Sequence, residues 1–271
     1  MSKSGTPTML ERIDRRWIFL IIIILCILPV VRPLGLPIQI EPATLGVYNT
    51  IQNLKPGDIA CITVDYGGGS AAELYPQDVD LAKILLARDC KLIIVCFDPA
   101  GPQMGNNVLQ DSGYVAAKTY GVDYVNLGYI AGTEAGMSAF AKDIRATIQS
   151  DFYGTPLSQL SIMNNVNTEN DIKFLAFTTS TSQDMYIRQF SGHTTQVVGC
   201  IQALYYSIMA VYMNSHQIIG FVNGLRGDAE IELLTGYPGT GVITMDQTSI
   251  THLFAVALIV IGNVGYWRRK K

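Results

Sequence analysis

The sequence lacks the short motifs that usually identify a reaction. It contains no CxxC pair, no GxGxxG or GxxxxGK[ST] loop and no GxSxG turn. Only three histidines are present, His193, His216 and His252, and none pairs with another at metal-ligand spacing. These absences argue against a Cys/His metal centre, a common nucleotide-binding loop and a serine hydrolase. We interpret His193, which lies two residues after Ser191, as an ordinary surface histidine.

Basic residues are scarce near both ends of the central region. No Lys or Arg lies between Arg32 and Lys55, and none follows Arg226 until Arg268. Residues 32–249 hold 11 of the 19 Lys and Arg and 20 of the 22 Asp and Glu, a net charge of −9. A surface this acidic argues against nucleic acid or anionic lipid headgroups as partners of this region.

Two long apolar runs are present, one towards each end of the chain. Trp17 to Val31 carries no charge and predicts a transmembrane helix over residues 17–33, although it is short for a bilayer core of about 20 helical residues. Ile250 to Trp267 predicts a second helix over residues 250–267. A cleaved signal peptide is the alternative for the first run. No small-x-small cleavage site follows it, so an uncleaved anchor is the better interpretation.

The basic residues beside these runs predict the orientation in the membrane. Four precede the first run within residues 1–16, and the chain ends in four more at 268–271. Such residues favour the cytoplasm. We therefore expect two cytoplasmic tails and an extracytoplasmic domain over residues 34–249. Four cysteines in that domain oppose this assignment, because an oxidising compartment would usually pair them. We interpret them as buried core residues, with pairing as the alternative.

The first half of the domain alternates apolar strand-like runs with amphipathic helices. Such alternation predicts a parallel sheet covered by helices on both faces. The fold class that follows is an α/β domain of three layers, flavodoxin-like or Rossmann-like, flanked by the two transmembrane helices. The predicted strands are Ile59 to Val64, Lys91 to Phe97, Asp123 to Leu127 and Ile172 to Thr178, and the predicted helices are Pro76 to Arg88, Asn106 to Tyr120 and Thr133 to Ile148.

The second half of the domain is less regular. Thr195 to Ile201 favours a fifth strand, and Ala203 to Met213 favours a core helix rather than a third span. His216 to Leu234 has a helical pattern that contains Gly220, Gly224 and Gly227. Three small residues along one helix favour close packing against a neighbour. This helix therefore predicts lateral contacts, in a homo-oligomer or with other subunits of a membrane complex.

Loops after the predicted strands hold the candidate ligand-binding residues. In an open parallel sheet, ligands bind beyond the carboxyl ends of the strands. Asp65 and Asp98 end neighbouring runs and are a candidate pair for Mg²⁺ or Ca²⁺. The alternative is that each aspartate caps the loop that follows it. Gly67 to Ser70 is interpreted as a flexible surface loop. The full candidate set is Asp65, Gly68, Ser70, Asp98, Thr133, Glu134, Thr179 and Ser180.

Two hypotheses of function follow from these patterns. The first is a non-enzymatic structural or assembly component of an oligomeric membrane complex, because the domain is tethered at both ends and lacks a catalytic motif. The second is a domain that binds a ligand or a divalent metal ion, or hydrolyses a substrate, through the loops at the strand ends. Apart from that metal ion the sequence implies no cofactor, and the expected partners are the lipid bilayer and other subunits.

Overall fold

Six parallel strands form one sheet at the centre of the protein. The computed structural model describes residues 14–193 and 195–270, without the side chains of 268–270. The predicted tail at 1–16 therefore lies mostly outside the described residues, as does Lys271. The strands are β1 (Ile59–Asp65), β2 (Lys91–Cys96), β3 (Tyr124–Tyr129), β4 (Phe174–Thr179), β5 (Gln196–Ile201) and β6 (Gly220–Asn223).

Helices connect the strands and extend from the domain at both ends. Several short 3₁₀ turns lie between them, most of them in the connection from residue 148 to β4. The α-helices are α1 (Arg15–Val31), α2 (Pro42–Asn53), α3 (Gly68–Ala87), α4 (Gly101–Asp111), α5 (Glu134–Lys142), α6 (Ile144–Thr147), α7 (Gln183–Phe190), α8 (Tyr206–Asn214), α9 (Gly224–Thr235) and α10 (Thr240–Lys270).

Both faces of the sheet are buried. Along β1, Ala60, Ile62 and Val64 belong to one hydrophobic cluster, whereas Cys61 between them belongs to a second cluster on the opposite face. Successive side chains of a strand point to opposite faces, so two clusters require helices on both sides of the sheet. The predicted α/β class with an all-parallel sheet is confirmed.

The strand order identifies where the chain reverses direction across the sheet. The order is β3-β2-β1-β4-β5-β6, and every neighbouring pair is parallel. The first three strands spread to one side of β1 and the last three to the other, which is the strand order of Rossmann-type sheets and differs from that of flavodoxin. The reversal lies between β1 and β4, where Asp65 and Thr179 are partners in register.

The helix after β1 begins earlier than predicted. Pro76 was expected to open it, but α3 starts at Gly68 and holds Pro76 in its interior. One proline removes a single backbone hydrogen bond of the helix. Leu74, Leu81 and Leu85 are fully buried on both sides of this proline, so packing on the sheet outweighs that loss. The predicted flexible loop from Gly67 to Ser70 is therefore wrong: Gly67 caps α3, and the next three residues form its first turn.

The predicted glycine-lined helix from His216 to Leu234 is confirmed only in its second part, which forms α9 (Gly224–Thr235), and is wrong over Gly220–Asn223, which forms β6. Gly220 opens strand β6, and Gly224 opens α9 with a φ of +55°. A Cβ at Gly220 would lie 2.2 Å from the carbonyl oxygen of Ala43, and one at Gly227 would lie 3.0 Å from Val222. These glycines permit close packing inside the domain. They no longer support the prediction of lateral packing, which stays untested.

Helix α8 lies on the surface, although its sequence favours a core helix. Met209 is its only fully buried residue, whereas Ile208 is 51% exposed and Val211 is 65% exposed. The helix covers the sheet with one side and leaves its other apolar side uncovered. At nine residues it is also too short to cross a membrane.

One helix in the described part of the chain is long and apolar enough to cross a membrane. It is the stretch Thr240–Trp267 of α10, which lies almost entirely outside the core. The predicted span at 250–267 falls within it. Helix α1 has 17 residues, one fewer than the 18 taken as the minimum for a membrane span, so the structure does not show the first predicted span. Like α10, helix α1 has an exposed apolar surface, on which Phe19, Ile23 and Ile27 are each more than half exposed.

The four cysteines of the domain are buried and unpaired. Cys61, Cys90, Cys96 and Cys200 have no disulfide partner and are at most 1% exposed. The interpretation as core residues is confirmed, and it removes the paired alternative from the domain.

Candidate functional site

The candidate site lies at the carboxyl edge of the sheet, where β1 and β4 end side by side. The loop from Tyr66 to Gly67 leaves β1, and the loop from Ser180 to Ser182 leaves β4. In open α/β sheets the reversal of strand order is where ligands bind, and we call the space between the two loops the crevice. This is the edge at which the sequence predicted ligand-binding residues.

Asp65 is buried at the end of β1 and accepts three hydrogen bonds. Its Oδ1 accepts the backbone N–H groups of Phe97 and Asp98, the second at 2.8 Å, and its Oδ2 accepts the Tyr186 hydroxyl at 2.6 Å. Burial raises the pKa of Asp65 to about 6, although the hydrogen bond from Tyr186 opposes that shift. The carboxylate therefore ties β1 to the end of β2 and to α7.

Asp98 makes the contact of a loop cap. Its Oδ1 accepts the backbone N–H of Ala100 at 2.8 Å, just before α4. The carboxylates of Asp65 and Asp98 thus serve different backbone groups, although the Asp98 N–H donates to Asp65. The capping alternative describes the contacts of Asp98. A divalent metal ion held by this pair stays a prediction.

Open space lies in front of the first turn of α3. A Cβ added at Gly67, Gly68 or Gly69 would meet no atom within 4 Å. Ser70 closes this turn through its backbone N–H, which donates to the Gly67 carbonyl oxygen at 3.1 Å. The start of a 20-residue helix carries partial positive charge and suits an anionic group.

The remaining predicted residues lie at or after the ends of β3 and β4 and serve different partners. Thr179 is buried, and its Oγ1 accepts the N–H of Thr181 at 3.2 Å. The carbonyl oxygen of Ser180 accepts the Tyr205 hydroxyl at 3.0 Å. Thr133 precedes α5 with a φ of +46°, a conformation rare for a residue with a side chain.

Glu134 is occupied by a surface ion pair. Arg188 on α7 donates to both of its carboxylate oxygens, at 2.9 and 3.0 Å, and Gln189 donates at 3.1 Å. These hydrogen bonds lower the pKa of Glu134. Its carboxylate therefore connects α5 to α7, and the structure does not bring it together with Asp65.

Two buried polar residues near the crevice were missed from the sequence. Tyr186 was not singled out because Tyr186, Ile187 and Phe190 together resemble an ordinary apolar helix face. Asp78 is fully buried and accepts hydrogen bonds from the hydroxyls of Tyr66 and Thr178, the first at 2.8 Å. A signal for Asp78 did exist, because it lies at helical spacing between buried Leu74 and Leu81, where an acid is unusual.

The fold and the crevice define a doubly wound α/β domain with an anion-compatible helix start at its point of reversal. No family model, no curated protein and no solved structure matches this chain. Its function is therefore argued from the contacts of its own residues.

Proposed function

We propose that the protein is a membrane-anchored structural component that holds its α/β domain rigidly at the bilayer and assembles laterally with further copies of itself. The observation that carries this proposal is the contact between Asp246, near the start of α10, and the backbone that follows α1. That contact fixes α10 to the segment that leads from α1 into the domain.

Asp246 is 1% exposed and accepts three backbone hydrogen bonds from the segment after α1. Its Oδ2 accepts the N–H groups of Leu34 and Gly35 at 2.7 and 2.9 Å, and its Oδ1 accepts that of Leu36 at 2.9 Å. Charge-assisted hydrogen bonds of this kind are stronger than neutral ones. The connection between α1 and the domain is therefore held in place and does not act as a loose tether.

Two further carboxylates strengthen the same junction. Glu232 on α9 accepts the N–H groups of Gly239, Gly241 and Val242 at 2.7 to 2.8 Å and so caps the first turn of α10. Glu230 accepts the N–H of Glu41, just before α2, at 3.0 Å. An acid at a helix start is favourable because it meets unpaired N–H groups.

The arrangement of α1 and α10 supports a two-helix anchor with both termini in the cytoplasm. The two helices pack together, and Gln247 in the first half of α10 donates to the carbonyl oxygen of Cys26 in the second half of α1 at 2.6 Å. They therefore run in opposite directions. Arg15 and Arg16 at the start of α1 then lie on the same side as the end of α10, which carries the basic tail, and the domain lies on the other.

The exposed side of α8, together with Leu204 in the turn that precedes it, is the surface on which we propose that two copies meet. Leu204 and Val211 are 70% and 65% exposed, and Ile208 is 51% exposed. Contiguous apolar side chains on a soluble domain commonly mark an interaction surface. Copies anchored rigidly in one membrane share height and orientation. A patch on the side of each domain can therefore meet its counterpart without further ordering of the chain.

Native mass spectrometry of the detergent-extracted protein tests assembly. We expect a dimer or larger species for the wild type and a monomer for the double variant Ile208→Asp, Val211→Asp, because each substitution places a charge in the proposed contact. Val122→Asp is the matched control, since Val122 is 41% exposed and lies outside α8. A wild type that stays monomeric at every concentration would rule out this part of the proposal.

Limited proteolysis tests the rigid attachment. In Asp246→Ala, the N–H groups of residues 34–36 lose their acceptor, and we expect cleavage between residues 32 and 41 to become at least several-fold faster. Asp98→Ala, which removes a cap far from this junction, is the control. Equal cleavage rates in both variants would contradict a fixed connection.

A second candidate function is binding of a small anionic ligand in the crevice at the reversal of the sheet. It is favoured by the open space before Gly67 to Gly69. In addition, the side-chain nitrogen of Gln183, at the start of α7, is buried without a partner among the described residues. Thermal shift with inorganic phosphate, nucleoside triphosphates and nicotinamide dinucleotides tests it. A stabilising compound should lose its effect in Gly68→Val, whose side chain fills that space. Binding retained in Gly68→Val would place the ligand elsewhere.

A further inference from the structure

Three carboxylates converge where α3, α9 and α10 meet, away from the crevice. Asp80 on α3 and Asp228 and Glu232 on α9 each present an oxygen, and the three oxygens lie within 4.8 Å of one another. Asp228 and Glu232 are at most 1% exposed, and Asp80 is half-buried. Three like charges at this spacing repel one another strongly unless something between them compensates.

The side chain of Asp228 is buried without compensation from the protein. Among the described residues, no group donates a hydrogen bond to either of its carboxylate oxygens, and Oδ2 of Asp80 is likewise buried and unpartnered. A buried carboxylate without a partner is costly, and buried polar atoms in folded proteins nearly always have one. One oxygen of Asp228 lies in the cluster with those of Asp80 and Glu232, so a partner placed there can reach it.

The basic residue nearest the cluster does not supply that partner. Lys83 lies one turn after Asp80 on α3, but its Nζ lies 4.8 Å from the ring centre of Tyr237. No ion pair joins a described Lys or Arg to Asp80, Asp228 or Glu232. Glu232 already accepts three backbone N–H groups from the start of α10, two on Oε2 and one on Oε1, so Oε1 retains a further lone-pair direction.

We infer that Asp80, Asp228 and Glu232 form a binding site for a divalent cation, with Ca²⁺ the favoured ion. Hard cations prefer carboxylate oxygens, and Ca²⁺ accepts them at 2.3 to 2.6 Å in a flexible geometry, so one ion can bridge oxygens spaced as these are. Asp80 and Glu232 also line a cavity of about 310 Å³ that opens to the surface beside Tyr75 and Thr240, which provides a path of entry.

A bound cation would act on the membrane junction, since Glu232 caps α10. The ion would join α3 to α9 directly and, through Glu232, to the first turn of α10. This role is independent of the proposed lateral assembly. The alternative occupant is a proton shared between Asp80 and Asp228, which would satisfy one oxygen of each residue and leave the cluster indifferent to divalent ions.

Calorimetry and thermal unfolding of the full chain in detergent, after removal of metal with EDTA, distinguish these occupants. We expect CaCl₂ to bind with one site per chain and to raise the Tm, and Asp228→Asn to abolish both responses. The Asp228→Asn variant should fold, because the new amide can donate to Asp80. Asp111→Asn, an acid in the same cavity but outside the cluster, should keep both responses.

Hydrogen exchange supplies a second measurement, because a uniform gain in stability would not slow exchange at one place only. Added Ca²⁺ should slow exchange of the backbone N–H groups at residues 239–242 more than elsewhere, and Asp80→Asn should remove this effect. Absence of Ca²⁺ binding by the wild type, or equal binding by wild type and Asp228→Asn, would overturn the cation site and leave the shared proton as the occupant.

Discussion

Two buried aspartates, one at the sheet edge and one at the helix junction, differ in how the protein surrounds them. Asp65 accepts three hydrogen bonds from three separate residues. Asp228 is equally buried and accepts none from the described residues. Since burial penalises both charges, the partners decide their roles. Asp65 at the crevice holds parts of the fold together, whereas Asp228 at the junction has the free oxygens that our proposed cation site requires.

Removal of Asp65 should have the largest effect on stability. In Asp65→Ala, two backbone N–H groups and the hydroxyl of Tyr186 lose their acceptor inside the domain. We expect the free energy of unfolding to fall by about 3 to 5 kcal/mol, because each unsatisfied buried donor costs about 1–3 kcal/mol. Chemical denaturation measures the loss. Asp98→Ala is the matched control and should lose about 1 kcal/mol or less, since it frees one exposed N–H. Similar losses in both variants would contradict the difference between the two aspartates.

The free energy of unfolding should depend on pH through the titration of Asp65. Its pKa is about 6 in the folded protein and near 3.8 when exposed, so the folded state binds the proton more tightly. The resulting stability is present below about pH 4 and is lost as the pH rises through about 6. The difference between wild type and Asp65→Asn, measured by denaturation from pH 4 to 7, should change by about 2 to 3 kcal/mol, about 1.4 for each pKa unit. A constant difference across that range would show that the carboxyl titrates normally.

Asp228→Asn should change stability in the opposite direction to Asp65→Ala. Burial, and then the neighbouring Asp80 and Glu232, raise the pKa of Asp228 well above its usual range, so its carboxylate form is disfavoured. In buffer free of divalent ions the substitution replaces this carboxyl by a neutral amide, and we expect the free energy of unfolding to rise by about 1 to 2 kcal/mol. Denaturation of the metal-free wild type and variant measures this gain. A loss comparable to that of Asp65→Ala would mean that Asp228 is a structural partner after all.

The smallest effect is expected at Gly68. Because a Cβ there meets no atom within 4 Å and its φ is not positive, Gly68→Val should alter the free energy of unfolding by about 1 kcal/mol or less, through helix propensity alone. Gly220→Val is the contrasting variant, since a Cβ there collides with the Ala43 carbonyl oxygen, and it should destabilise the domain strongly. Equal effects of the two substitutions would contradict the open space assigned to the crevice.

The sequence predicted those parts of the fold that depend on local pattern. Apolar runs such as Lys91 to Phe97 are long enough to mark a buried strand. The four-residue strand Gly220–Asn223 lies inside a stretch with helical spacing, and nothing local separates it from the helix that follows. The start of α3 was missed because proline is common at the first position of a helix, which suggested a start at Pro76. In the structure, packing of the leucines of α3 on the sheet extends the helix back to Gly68.

The polar contacts depended on tertiary structure and were therefore harder to predict. That Asp65 ends a strand at the crevice followed from its position after an apolar run, but its bond with Tyr186 joins residues 121 positions apart. Asp80 and Asp228 meet only because α3 and α9 pack together. Asp246 contacts residues more than 200 positions earlier, at the far end of the chain. Single-sequence patterns contain no information about pairs at such separations.

The Asp246 contact also has a mechanical consequence. The backbone from Leu34 to Leu36 bonds to Asp246 of α10, and Gln247 bonds to Cys26 of α1, so α10 is joined to α1 and to the segment after it at neighbouring points. A force that pulls one helix along its axis is therefore shared with the other, and the bonds between them are loaded together instead of in sequence. In an optical-trap experiment, the junction should resist as one unit and give way in a single step, with the sheet behind it still intact.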